Sequence, residues 1–234
     1  MTVRDRMDEG LRALRLVEAE RMARSVFTHA EQSGVIAAGW YESEVDAAVR
    51  RIATRVAGPL LTGPGRLVRS GPHTLLPPGQ EVPDRLLGVD DVVVVDLSPL
   101  LTGHETGFAQ TVVVGEDPGR HRLVEDLRGV FDDVREVFRR HDDLTGRQVH
   151  AEVHALSHKA GWCLGSWHAG RMAGTSFTDP PEAAWEEELI AFDNGKPLRR
   201  RDLWGFSAHW VLEIHLVDES RGYGGVLKQL LDLG

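Results

Sequence analysis

Residues 91–115 read DVVVVDLSPLLTGHETGFAQTVVVG, and the fold follows from how they are interpreted. Two short β-branched runs, VVVV at 92–95 and TVVV at 111–114, flank a polar turn. Runs of this length bounded by Gly and Pro predict neighbouring buried strands rather than a helix. Asp96 closes the first run. An isolated ionised carboxylate at the mouth of a buried strand pair is strongly disfavoured, so Asp96 must meet a cation or several hydrogen-bond donors.

Working outward, residues 8–33 carry Leu11, Leu14, Leu16, Val17, Met22, Val26 and Phe27 at helical spacing, and Gly34 is a natural stop. Ser43 is the expected cap of a second helix reaching about residue 56. A short strand is predicted at 67–70. The Pro- and Gly-rich stretch SGPHTLLPPGQEVPDRLL then reads as an ordered loop feeding the hairpin. Beyond Gly115, Leu123, Leu127, Val130, Phe131, Val134 and Val137 line one face of a helix over 118–141, and Thr145 starts another that runs to about 160. Residues 161–180 read as a glycine-rich segment and 181–201 as mostly irregular. A strong strand follows at 209–217, then a short final element at 226–233. The order of helices, hairpin, helices and late strands predicts an α+β fold, and 234 residues suffice for one well-cored domain spanning 1–234.

Bulk composition narrows the function. With 27 basic and 36 acidic residues the net charge is −9, which argues against nucleic-acid or anionic-membrane partners. No apolar run approaches the ~18 residues of a membrane span, and MTVRDRMDEG lacks the apolar core of a signal peptide. The single cysteine, Cys163, cannot close an internal disulfide and suits a reducing cytoplasm. Set among Trp162, Leu164 and Gly165, it reads as a small buried apolar residue.

The hairpin resembles the metal-binding hairpin of the pita-bread superfamily, which includes methionine aminopeptidase, aminopeptidase P, prolidase and creatinase. The family pattern has two aspartates eleven positions apart. Here the first is Asp96 and the second position is Gly107, while Phe108, Thr111 and Gly115 fit and the usual arginine is Gln110. The resemblance implies curved antiparallel sheets covered by helices. It also implies three further metal ligands. The histidine of the G-H-x-(I/V)-G motif falls on Arg171, in GRMAG. A late-strand glutamate matches Glu213, and a C-terminal glutamate falls on Lys228, in GGVLK. Of five ligand positions, Asp96 and Glu213 remain. Two carboxylates beside a guanidinium and an ammonium do not make a paired divalent site, because both replacements are donors without acceptor capacity. The expectation is a pocket with no metal and no cofactor, in which Arg171 and Lys228 take the metal positions and pair with Asp96 and Glu213.

Creatinase, which shares this fold, works without a metal on a small C–N substrate, so proton-transfer chemistry remains open. His168, between Trp167 and two glycines, is the expected proton carrier, with Asp96 and Glu213 as its catalytic partners. Expected substrate contacts are His73 in the S-G-P-x-T loop, Trp167, Arg171, Asp179, His215 on the Glu213 strand face, and Lys228. His168, His73 and His215 read equally as packed histidines, and Asp179 in TDPP as a turn cap. The family's next functional histidine falls on Thr178. His104 reads as solvent-facing, and His121, His141, His150, His154 and His158 as helix-surface residues. Trp162, Trp204 and Trp210 read as core or interface. Three functions follow: a metal-independent hydrolase, lyase or cyclase of a small nitrogen-containing metabolite; a metal-dependent Xaa-Pro peptidase; or a non-catalytic homologue binding a peptide or protein. A cytoplasmic homodimer is expected, and the absence of the N-terminal domain fused in creatinase makes creatine itself an unexpected substrate.

Overall fold

A computed structural model describes residues 3–58, 65–77, 80–98, 106–174, 186–202 and 205–233. Among these residues, four helices, α1 (Val3–Gln32), α2 (Glu42–Ala57), α3 (Pro118–Arg140) and α4 (Gly146–Ala160), lie against one open, curved antiparallel sheet. Its strands are β1 (Val68–Ser70), β2 (Val92–Asp96), β3 (Ala109–Val113), β4 (Cys163–Leu164), β5 (His168–Met172), β6 (Leu189–Ala191), β7 (Trp210–Asp218) and β8 (Tyr223–Leu230). Across the sheet the order is β1-β2-β3-β8-β7-β5-β6, with β4 on β7. The β3–β8 contact joins the two halves of the chain.

Each helix pair buries its apolar stripe on alternate strand residues. Ala23, Val26 and Phe27 of α1 and Val45, Val49 and Ile52 of α2 close over Val93 and Val95. Leu123, Leu127, Phe131 and Val134 of α3, with Val149 and Val153 of α4, close over Leu212, Ile214 and Leu216. Because neighbouring strand residues point to opposite faces, Asp96 points away from Val93 and Val95, and Glu213 and Lys228 point away from Leu212, Ile214 and Leu227. At one end of β7 and β8, Leu16 of α1 also covers Val211 and Leu230.

The hairpin, α3, α4 with its Thr145 cap, and β7 follow the sequence reading. Five differences are corrections. The segment read as glycine-rich contains β4 and β5, and the polar run read as irregular contains β6. The Pro-rich loop begins with a 3-10 helix, Gly71–Leu75. Tyr41 rather than Ser43 stands at the α2 N-cap, because Glu44 reaches back to the Tyr41 N–H (2.8 Å) while Ser43 Oγ donates to Asp84 (2.6 Å). Cys163 is exposed rather than buried, being at the end of a two-residue strand. Among the described residues, no helix is long and apolar enough to cross a membrane.

Candidate functional site

One row of residues crosses four strands. Asp96 of β2 lies opposite Ala109 of β3, Ala109 opposite Lys228 of β8, and Lys228 opposite Glu213 of β7. Directly opposed residues share a face, so three charges and one methyl form a line. The small Ala109 leaves the long Lys228 side chain free to reach both acids. Its Nζ lies 3.0 Å from Asp96 Oδ2 and 3.2 Å from Glu213 Oε2. All three side chains are largely buried, Lys228 at 8% exposed. Asp96 ends β2 in a local turn, its Oδ1 accepting the Ser98 N–H at 2.8 Å. Burial alone pushes the Asp96 carboxyl upward, but the Lys228 charge and the Ser98 donors leave it below its usual range. Burial likewise opposes the Lys228 ammonium, and the two carboxylates override it and raise its pKa. Gly107 belongs to the same arrangement. A Cβ there would lie 3.0 Å from Lys228 Cδ and 3.2 Å from Ser98 Oγ, so the lysine stem occupies the space a side chain at 107 would need.

Arg171 sits half-buried on β5 opposite Val211 of β7, on the Glu213 face. Desolvation lowers its pKa against the attraction of Glu213 and Asp96, and a guanidinium stays charged regardless. Its Nη2 donates to the Thr106 carbonyl at 3.0 Å. Arg171 therefore adds positive potential to the two acids and ties β5 to the segment before Gly107, whereas Lys228 makes the direct ion pairs. Thr106 Oγ1 is buried without a hydrogen-bond partner.

His168 begins β5, with its imidazole edge-on to Trp167 (centroids 5.2 Å apart). Burial lowers its pKa; Glu213 opposes the shift, and Lys228, Arg171 and His150 add to it. Its Nδ1 accepts the Gly170 N–H at 3.3 Å, so the neutral ring carries its proton on Nε2. Trp167 is 64% exposed, while Trp162 and Trp210 are core residues. His150, read as a surface residue, is half-buried, with its pKa lowered by burial and by His154. Its position beside Val149 on the inward side of α4 was the available sign. His121, His141, His154 and His158 are exposed.

His215 is buried on the Glu213 face, and its Nε2 donates to the Thr74 carbonyl at 2.7 Å. Burial lowers its pKa, partly offset by the Thr74 bond. Gly165 closes over this imidazole, since a Cβ at 165 would lie 2.5 Å from His215 Nδ1. His73 is held through Nδ1 by Glu42, at 3.1 Å from Oε1 and 3.0 Å from Oε2. Sequence reasoning missed Glu42, although the α2 stripe of Val45, Val49 and Ile52 leads back to it one turn earlier. His104, Thr178, Asp179 and Trp204 lie outside the described residues.

Residues 15–203 match the model of metallopeptidase family M24, and the chain belongs to that family. Among solved structures it is similar to the X-Pro aminopeptidase of Thermotoga maritima, with 17% identity and a TM-score of 0.69 over 98% of this chain and 63% of that one. It is similar also to the dipeptidase PepE of Mycobacterium ulcerans (20% identity, TM-score 0.67, 92% of this chain and 54% of that one). A third is the methionine aminopeptidase of Thermotoga maritima (17%, TM-score 0.59, 91% and 86%). The chain thus spans less than two thirds of the first two. No curated protein sequence matches it.

The residues present do not fit the divalent metal that the family name implies. Lys228 Nζ, a donor with no lone pair, lies against both remaining carboxylates. Gly107 contributes no ligand atom, and Arg171 is likewise only a donor. Among the described residues, no group of three or more His, Cys, Asp or Glu is arranged to hold a metal ion.

Proposed function

We propose that this chain is a metal-independent member of its family that performs acid–base chemistry, by hydrolysis, elimination or cyclisation, on a small nitrogen-containing metabolite. The observation that carries this reading is the Lys228 ammonium bound by Asp96 and Glu213 at 3.0 and 3.2 Å. An ammonium has three donors, so one remains beyond the two acids to meet a substrate oxygen. Together with the permanent charge of Arg171, this suits a carboxylate or developing oxyanion, where fixed cations in a low-dielectric site act most strongly. Asp96 and Glu213 hold the lysine in place and orient a substrate nitrogen. His168 is the proton carrier. With its pKa lowered and Nδ1 occupied, the neutral ring offers an Nε2–H hydrogen bond to a leaving group or oxyanion.

The remaining contacts belong to the same proposal. Trp167 walls the entrance beside His168. His215 holds the 3-10 helix against β7. His73 borders the same face, and Asp179 receives a substrate amine. We place the enzyme in the cytoplasm as a homodimer.

Two measurements test this reading. After incubation with manganese, cobalt, iron or zinc and desalting, elemental analysis is expected to find far less than one ion per chain. A value near two would overturn the reading in favour of a metallopeptidase. Incubation with a panel of small carboxylated amides, ureas and amidines, followed by mass spectrometry, is expected to show turnover that survives a chelator and is lost in His168→Gln. Saturable binding without turnover, unchanged in His168→Ala, would instead identify a non-catalytic binder.

A further inference from the structure

The described residues hold a second buried charge cluster, centred on Glu42. Its side chain is fully buried and accepts at both oxygens. Oε1 takes the Ser70 N–H (2.6 Å) and Ser70 Oγ (2.9 Å), and Oε2 takes Arg66 Nη1 (2.8 Å). His73 Nδ1 lies within 3.1 Å of both. Ser70 is itself fixed by Arg85 Nη1 at 2.8 Å, and Arg85 pairs with Asp91. The carboxylate is therefore locked in position before it meets the histidine.

His73 is carried by the 3-10 helix Gly71–Leu75, which is seated on the charged face of the sheet. The next residue, Thr74, accepts His215 Nε2 through its carbonyl and the Gly224 N–H (2.8 Å) through its hydroxyl. His215 lies two residues beyond Glu213 on β7 and shares its face. His73 remains 16% exposed. When its ring is neutral, the bond to a carboxylate places the proton on Nδ1 and leaves Nε2 as a lone pair. His168 is the reverse case, with Nδ1 accepting a backbone N–H and the proton on Nε2.

We propose that His73 is the proton acceptor of this site, that Glu42 is its positioning residue, and that His168 is the complementary donor, the two imidazoles standing in opposite tautomers. The proposal deepens the functional reading above and rests on it for the claim that the site is catalytic. In the step it describes, an X–H bond of substrate or water breaks and its proton forms an N–H bond at His73 Nε2. The electron pair stays on X, which attacks or expels its neighbour. Glu42 stabilises the resulting imidazolium through Nδ1–H, His73 Nε2 then passes the proton to the leaving atom, and His168 Nε2–H donates a hydrogen bond to the developing oxyanion.

Long-range nitrogen–proton spectra of the full-length, nitrogen-15-labelled protein test the tautomers without substrate. Signals are assigned by their loss in His73→Asn or His73→Gln and in His168→Asn. The expected pattern is Nδ1–H with bare Nε2 for His73, and Nε2–H with bare Nδ1 for His168. A His73 protonated on Nε2, or on both nitrogens throughout the neutral range, would overturn the proposal. In a second arm, diethyl pyrocarbonate followed by peptide mass spectrometry is expected to acylate His73 readily, and several-fold more slowly in Glu42→Gln. Glu42→Asp, which keeps the charge, should recover part of that rate and serves as the second variant if Glu42→Gln fails to fold. A His73 that stays unmodified while the exposed His154 and His158 react would also sink the idea. Neither arm depends on turnover, so failure here leaves the metal-independent reading standing, and failure to find turnover leaves the tautomers measurable.

Discussion

Two buried clusters on one sheet solve the problem of a buried carboxylate in opposite ways. At the centre, a single cation, Lys228, serves two acids, Asp96 and Glu213. At the flank, a single acid, Glu42, is served by Arg66, His73 and both donors of Ser70. The central cluster concentrates its compensation on the Lys228 ammonium, which contacts both acids, whereas the flanking one spreads it over several donors. Breaking a buried pair costs most when a charge is left without a partner. The centre should therefore be brittle and the flank tolerant, although both are buried to a similar degree. The same contrast separates the proposed roles. A brittle cation suits a site whose field must be fixed, and an over-determined carboxylate suits one that holds an imidazole in a single orientation.

The sharpest way to break this comparison is Lys228→Met, which leaves two acids facing each other without their cation. It should cost about 3–5 kcal/mol in urea denaturation, with Lys228→Met/Asp96→Asn recovering part of the loss. A cost no larger than that of a surface substitution would show that Lys228 does not hold the row together. Gly107→Ala comes next. Its methyl would crowd Lys228 Cδ at 3.0 Å, and because the lysine stem can shift, the cost should be at the low end, about 1–2 kcal/mol. Combining Gly107→Ala with Lys228→Met should cost less than the sum, since the second change alters the crowded side chain. Arg66→Met at the flank should cost only about 0.5–1.5 kcal/mol, because Glu42 keeps its Ser70 and His73 partners. An Arg66 effect equal to that of Lys228 would erase the distinction between the clusters.

The central cluster was legible in the sequence and the flanking one was not, for a physical reason. The resemblance to the pita-bread pattern singled out Asp96, Glu213 and Lys228, and the strand register places them in one row. The pairing of Lys228 with both acids was read correctly. Arg171 is attracted to both acids and its Nη2 donates to the Thr106 carbonyl, a contact that strand parity does not give, because parity fixes a face but not where a long side chain ends. Glu42 lies 31 positions from His73 and sits in the run ESE at a helix start, which looks like a solvated acidic first turn. The strands β4, β5 and β6 escaped because they are two, five and three residues long and carry too little alternation to show a period. β7, whose nine residues were plain in the sequence, holds β4 and β5, and β5 holds β6.

The smallest effect concerns acid, and it tests the two histidines beside the central row. Burial lowers the folded-state pKa of both His215 and His168 below 6.5, so below that value the unfolded chain binds more protons than the native one. Stability should therefore fall as pH drops through 6.5 and keep falling until the folded values are reached. Asp96 acts with the same sign lower down. Its folded pKa is depressed below 3.8, so its contribution persists above that value and disappears as pH falls through the folded one. Lys228 acts oppositely and far away, because its raised pKa contributes below 10.5 and is lost only as pH climbs past its folded value. Between about pH 7 and about pH 5 the slope should thus belong to the histidines rather than to the ion pairs. His215→Gln keeps a donor for the Thr74 carbonyl and removes one titrating ring. Its urea midpoint should therefore change less with pH than that of the parent protein. An unchanged slope would mean that His215 takes up its proton in the native state as readily as in the unfolded chain. The packing of Gly165 against that ring would then be loose enough to admit water.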